Sequence, residues 1–478
     1  MGFDMDKRRS ALVVASAGYF FVLLDVTIVN VALARIGSDL GASRAELQWV
    51  VDAYALCLAA FMLSAGDLVD RLGSRRLFLL GLALFGLASA ACAAAPGAPA
   101  LIAARVVQGL GAAAILPTSL AVVNQLYTGP EERPRAIGIW AGIGSSALVL
   151  GPVLGGLLVG PLGWRAIFAL NVPLVAVSLV AGARLLPAGP AARGERADVR
   201  GQLLGTLALA ALVFALIEGG HAGFGTAPVI AAALIAATAL GAFVAVELRR
   251  RRPLLDVRWF RRPEFSGANA GSGLMNLGTL GALFALSLYL QDSRGLSPLQ
   301  TGLNLLPLAA PLALLTPFGG RLVARIGPRL PAGLGLLACG IGYLALAPLE
   351  ADIDGPAGWA LLALSGSGMG IAVSALVAGA TEALGPDRAG IASAVNNTSR
   401  QVGGAVGVAL IGGFASVGAS LLASGIALLL GATAALTLMA RQARGTDLSG
   451  ARTRKKSGYR SFPQRGGEKI GMQAPRRR

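Results

Sequence analysis

Four ionisable residues, Asp25, Asp52, Arg105 and Arg400, sit inside runs that are otherwise almost entirely apolar. An ionisable group at the middle of a bilayer costs roughly 2.5–3.5 kcal/mol on insertion scales, so such residues mark sites of function or of deliberate pairing. Gln48 precedes Asp52 by one helical turn, Gln108 and Gly109 follow Arg105 on one face, and Asn396 precedes Arg400 by one turn. Arg400 lies about eleven residues into its run, or about 16 Å at 1.5 Å per residue, too deep to reach the surface easily. A carboxyl group taken out of water holds its proton more tightly, and a cation nearby loosens it again. A buried Asp that meets water on alternate sides can therefore exchange a proton for a cationic solute. The plainer reading is that acid and Arg pair and hold helices together. Asn269, Ser272 and Asn276 share one face of a later run, with Asn304 in the next, and could touch a solute or bond between helices.

These side chains need helices to carry them. Only 14% of the 478 residues are charged and 55% are apolar, whereas a soluble domain carries roughly 25% charged residues. A helix needs about 20 apolar residues to cross a bilayer core of about 30 Å. Fourteen runs qualify: 10–34, 46–66, 77–95, 99–123, 136–160, 166–186, 201–219, 227–247, 266–290, 299–318, 330–349, 357–380, 389–414 and 418–440. With the N-terminus inside, the inner segments hold 35 of the 41 Lys and Arg, counting Arg184 at the end of its span. The outer segments hold four: Arg35, Arg44, Arg165 and Arg294. Positive charge stays inside, so both termini are expected to be cytoplasmic. Lys7-Arg8-Arg9 before the first run imitates a secretory signal, but that run is too long and holds Asp25, so no cleavage is expected. The aromatic residues Trp49, Tyr54, Trp140, Phe168 and Tyr289 read as interfacial anchors or packing at least as readily as cavity walls.

The chain has one His and three Cys, Cys57, Cys92 and Cys339, which lie in apolar runs without CxxC spacing. No metal, cofactor or disulfide site is expected, and the Cys read as small buried hydrophobes. His221, in the outer segment 219–225, reads as a loop residue without a partner. With no nucleotide-binding Gly loop, HExxH or Cys/His cluster, an enzyme is not expected. The tail 441–478 carries 12 basic and two acidic residues and no apolar periodicity; it reads as disordered and drawn to anionic lipid rather than to nucleic acid.

The sequence Gly66-Asp67-Leu68-Val69-Asp70-Arg71-Leu72-Gly73-Ser74-Arg75 returns, with six of ten positions kept, as Gly320-Arg321-Leu322-Val323-Ala324-Arg325-Ile326-Gly327-Pro328-Arg329. Both copies follow a span on the same side, the mark of a parallel repeat. Eight spans lie between equivalent points where six would suffice, so the expected architecture is all-α, 6 + 2 + 6. An N-terminal six-helix half covers 1–186, a linker and two-helix insert 187–264, a second half 265–440, and the tail 441–478. Gly66 and Gly73 suit a tight inner turn, and Asp70, Arg71 and Arg75 suit a latch, with the Arg side chains pairing with acids across the interface. Ala147, Gly151 and Gly155 recur every four residues beside Pro152, a seam for close helix packing.

The chain resembles the major facilitator superfamily, in its fourteen-span drug:proton antiporter branch. The 66–76 loop looks like the superfamily signature between the second and third helices. Leu24-Asp25-x-Thr27-Ile28-Val29-Asn30-Val31-Ala32-Leu33 is similar to the first-helix signature, which usually continues with Pro where Ala34 stands here. Arg105-x-x-Gln108-Gly109-x-Gly111 resembles the fourth-helix motif, and Gly151-Pro152-x-x-Gly155-Gly156 the fifth-helix antiporter motif. Trp164-Arg165-x-Ile167-Phe168-x-x-Asn171-x-Pro173 and Asn396-Asn397-Thr398-x-Arg400-Gln401-x-Gly403-Gly404 also look like branch patterns. The resemblance implies a major-facilitator fold and proton-coupled efflux of a lipophilic antibiotic, drug or related metabolite. Asp25, Asp52 and Arg105 would serve proton coupling and a cation site, in a monomer of a bacterial cytoplasmic membrane. With 37 Arg to four Lys, the composition resembles that of actinobacterial antibiotic exporters. The alternative is a facilitator-fold transporter for an endogenous metabolite. Reporter fusions after residues 97, 222 and 353 should read outside, and those after 131, 193 and 445 inside. An inside reading at 222 would remove the two-helix insert.

Overall fold

The computed structural model describes residues 5–129, 132–187, 198–250, 253–385 and 388–439, with the side chains at 5, 63, 66, 67, 70, 71, 134, 145 and 351 excepted. The basic tail lies outside the described residues, as does the linker from 188 to 197. Among the described residues the chain is all helical. The first six helices are α1 (Met5–Leu40), α2 (Arg44–Leu72), α3 (Ser74–Ala93), α4 (Ala98–Leu126), α5 (Glu132–Leu162) and α6 (Arg165–Leu185). Then come α7 (Val199–Ala222), α8 (Ala227–Arg249), α9 (Pro263–Leu288), α10 (Pro298–Asn304) and α11 (Leu306–Ile326). The last four are α12 (Arg329–Leu346), α13 (Pro356–Leu384), α14 (Ala389–Ile411) and α15 (Val417–Leu438).

Among the described residues, thirteen helices are long and apolar enough to cross a membrane. The further long helix, α14, carries the polar stretch Asn396–Gln401 at its centre. The tenth expected span differs from a single run: it is two helices, α10 and α11, broken at Leu305. Pro307 explains the break, since it has no N–H to return to the carbonyl one turn back, and Pro311 and Pro317 follow in α11. Large apolar side chains such as Leu87, Val177 and Leu234 point outward, as they do where the solvent is lipid.

Within α1–α6, α1 packs on α5, α2 and α3 both pack on α4, and α3 packs on α6. The later helices repeat the scheme: α9 on α14, α11 and α12 on α13, and α12 on α15. The backbone repeats with the same 254-residue offset as the loop sequence. Gly41 and Gly295 take φ of +63° and +66°, and Gly73 and Gly327 take +79° and +77°, conformations that a Cβ would strain. Ser43 with Glu46 and Ser297 with Gln300 form capping boxes that start α2 and α10. The Gly73 and Gly327 N–H groups close on the carbonyls of Val69 and Val323 at 2.9 and 2.8 Å. Arg75 donates to the Ala183 carbonyl in the last turn of α6, and Arg329 to the Leu436 carbonyl in the last turn of α15 at 2.6 Å.

Close crossings without side chains set the spacing of these helices. A Cβ on Gly111 of α4 would lie 2.7 Å from the Phe85 backbone nitrogen of α3, and one on Gly335 of α12 would lie 2.5 Å from the Gly368 carbonyl oxygen of α13. Overpacking a tight site costs typically 1–3 kcal/mol. Gly111→Ala should therefore lower the thermal midpoint of the detergent-purified protein by several degrees. Gly138→Ala, where nothing lies within 4 Å, should not, and equal midpoints for the two variants would count against this crossing.

Candidate functional site

Asp25 and Arg105 are each 1% exposed and form an ion pair between α1 and α4. The other Asp25 oxygen accepts from Gln108 Nε2 at 2.8 Å, and Gln108 Oε1 accepts from Arg105 Nη1 at 2.7 Å. Gln108 Nε2 also donates to Ser89 of α3 at 2.9 Å, and Asn171 of α6 reaches the same hydroxyl at 3.4 Å. Arg105 Nε donates to the Val50 carbonyl of α2 at 2.9 Å. Its guanidinium lies over the Tyr54 ring, 4.2 Å from the centroid, with Phe168 at 5.8 Å. Five helices thus converge on one carboxylate. Gly109 makes this possible, since a Cβ there would lie 2.5 Å from the Tyr54 carbonyl and push α4 away from α2.

Asp52 is not part of this network. It is fully buried, and neither of its oxygens has a hydrogen-bond donor among the described residues. One turn away, Gln48 Nε2 donates across to α14, to the carbonyls of Val408 at 2.8 Å and Ala409 at 3.2 Å. Gln48 Oε1 meets His221 Nε2 at 3.0 Å. The reading of His221 as an unpartnered loop residue is therefore corrected: α7 runs to Ala222, carrying the imidazole to α2. The apolar span ends near 219, but the helix does not.

Asn30 turns back to its own Val26 carbonyl at 2.7 Å. Arg400 has no acid partner; its Nε is buried without an acceptor among the described residues, and its electrostatic neighbour is the Tyr19 hydroxyl. Tyr19 stacks on Trp140, with centroids 4.2 Å apart. Asn396 exchanges hydrogen bonds with Ser272 at 2.8 and 3.1 Å and reaches Asn269, so this set bonds between α9 and α14. Asn304 accepts from Trp359 Nε1 at 2.7 Å. The three Cys are free and buried.

The glycine motif makes α5 smooth on two sides. Gly151 and Gly155 lie against Thr27, Ile28 and Val31 of α1, while Gly156 lies against Pro298 and Leu299 of α10. The Pro152 carbonyl abuts Gly302. In the 66–75 turn, the Gly66, Asp70 and Arg71 side chains lie outside the described residues. Among the described residues the contact shown for Arg75 is with the end of α6, where backbone carbonyls lack helical partners.

Val29, Asn30, Tyr54, Arg105, Leu280 and Gly404 line a cavity of about 20 Å³ between α1, α2, α4, α9 and α14. It holds about one water, whereas drug-sized ligands need pockets of roughly 300–1,000 Å³. Admitting such a ligand here requires these helices to part. Among the described residues, no group of three or more His, Cys, Asp or Glu comes together to hold a metal. Tyr54, Phe168 and Ser89 are the members of the charge network that sequence reasoning missed. The two aromatics read as packing, and Ser89 carried no signal beyond being a hydroxyl in an apolar run.

A bundle of long apolar helices with buried polar groups between them defines a multi-pass membrane protein. A family model described as Major Facilitator Superfamily matches residues 15–408. The chain is 37% identical over 448 residues to the methylenomycin A resistance protein of Streptomyces coelicolor, spanning 91% of this chain and 93% of that one. It is 38% identical over 403 residues to multidrug resistance protein Stp of Mycobacterium tuberculosis, spanning 84% and 74%. The human organic anion transporter MFSD10 (TETRAN) shares the fold, with a TM-score of 0.63 at 18% identity over 90% of this chain and 99% of that one. The chain belongs to the Major Facilitator Superfamily.

Arg105→Lys keeps the charge but cannot serve Asp25, Gln108 and the Val50 carbonyl together. It should insert normally yet lose most transport in membrane vesicles. Wild-type transport by this variant would reduce Arg105 to a point charge.

Proposed function

We propose that this protein expels lipophilic drugs or antibiotics across the bacterial cytoplasmic membrane in exchange for protons, with both termini cytoplasmic. The observation that carries the reading is the buried Asp25–Arg105–Gln108 network beside the small central cavity. A proton taken up by Asp25 cancels the charge that holds Arg105. Arg105 then keeps Val50 and Gln108 as partners, and the tie between α1 and α4 loosens. Loss of the proton restores the pair. Each transit thus changes how firmly five helices are bound together, which is what coupling a proton to a rocking motion requires. Resistance proteins for methylenomycin A and for multiple drugs among the relatives support efflux as the direction.

Asp52 supplies the second carboxyl of this reading, a buried acid without a donor that a cationic substrate would draw into its charged form. Two halves, 1–186 and 265–440, would move against each other with α5 as a bearing against α10.

Asp25→Asn should abolish uphill export while leaving substrate binding, because the amide keeps the size and hydrogen-bonding capacity of the protonated acid but carries no exchangeable charge. Asp52→Asn should weaken cationic substrates more than neutral ones. Both can be read in inverted vesicles from substrate accumulation and proton release. Full proton-coupled export by Asp25→Asn would move the proton site elsewhere, and equal loss for neutral and cationic substrates in Asp52→Asn would make that residue a packing element.

A further inference from the structure

The polar contacts of α7 are one-sided. At one end Gln202 donates to the Ala60 carbonyl of α2 at 3.0 Å and meets Ser64; at the other His221 meets Gln48. Between them Trp49 of α2 lies against Phe214, with centroids 6.3 Å apart. Toward α14 no polar contact of the same helix appears among the described residues; there Leu209, Val213 and Ile217 share with Ala405 and Ala409 an apolar cluster that also takes in Leu56 and Ala59 of α2. Hydrogen bonds hold a helix in register, whereas an apolar contact between small and branched side chains lets it slide.

Gln48 stands where these surfaces meet, and its amide is used completely. Both N–H groups face α14 carbonyls, and the single oxygen faces His221. The opposite amide orientation would set an oxygen against two carbonyl oxygens, so a donor at His221 Nε2 selects the orientation that binds α14. Arg44, one turn nearer the helix end, adds a parallel contact from Nε to the Gly412 carbonyl at 3.0 Å.

We infer that the α7–α8 insert travels with α2 and that His221 is a positioning residue for a latch, in which Gln48 closes the end of the α2–α14 interface at which α1 finishes. When the interface opens, Gln48 leaves Val408 and Ala409 but keeps His221, and the insert thereby holds the latch ready to close again. This inference rests on the alternating-access reading above and assigns the insert a task in it.

The test is thiol accessibility at Val51→Cys, one turn below the latch on the wall of the small cavity, in a background with Cys57, Cys92 and Cys339 replaced by Ala. Right-side-out vesicles are treated with a membrane-impermeant maleimide, without substrate or proton gradient. Labelling should be slow with the native latch and rise about fivefold in His221→Ala, the population change that losing one ordinary hydrogen bond produces. Gln48→Ala should raise it at least as much. His221→Gln, which keeps a donor at similar reach, should restore slow labelling. Gln202→Ala loosens the far end of α7 and should leave labelling unchanged. The inference is overturned if His221→Ala labels like the native latch while Gln48→Ala does not, if His221→Gln fails to rescue, or if Gln202→Ala labels as fast as His221→Ala. No gradient is applied, so failure here leaves proton antiport through Asp25 untouched.

Discussion

A charged pair sealed from water at the packing centre is the constraint around which the first six helices are arranged. In a medium of low dielectric, an ion left without its partner is strongly destabilising, at about 3–5 kcal/mol for breaking such a pair. Asp25 and Arg105 must therefore meet, and every remaining donor and acceptor around them must be matched. Gln108 serves the carboxylate and the guanidinium at once, Val50 lends a carbonyl, Ser89 closes the network toward α3, and Tyr54 covers the cation with its ring face. The glycines at 109 and 111 follow from the same demand, because side chains there would hold α4 too far from its neighbours. The proposed proton site is thus built into the packing itself.

Asp52 and Arg400 are two of the buried polar groups left incomplete among the described residues. Asp52 has no donor among the described residues, and Arg400 has an Nε without an acceptor. Asp52 stands on α2 and Arg400 on α14, which pack on each other across the two groups of helices as α5 packs on α10. By contrast, Asn396, Ser272 and Asn269 satisfy one another between α9 and α14.

The fourteen-run pattern and the four intramembrane charges were legible because lipid tolerates so little polarity that each exception stands out. The pairing of Asp25 with Arg105 was one of two readings the residues allowed, and geometry was needed to show it. What the sequence hid were contacts made to the backbone. Arg75 looks like a latch charge, yet it and its repeat counterpart Arg329 each cap the carbonyls at the end of a distant helix, and a carbonyl leaves no trace in residue identity. His221 looked unattached because the apolar run stops three residues before the helix does. Tyr54 and Phe168 looked like packing because an aromatic that covers a cation is written with the same letter as one that anchors in lipid. The repeat too was wider than the ten matched positions: the Gly41 and Gly295 turns and the two capping boxes extend it to the other end of the hairpin.

That widened repeat sets Val51 and Asp52 opposite Leu305 and Leu306. In the first copy the helix runs through this point unbroken and carries a carboxyl; in the second it breaks, and Pro307 maintains the break. The two copies of the hairpin differ here, one a rod that bears a carboxyl and the other a jointed strut against α5. Recombination between the two halves of the gene, which keeps duplicated sequences alike, would here erase either the acid or the joint.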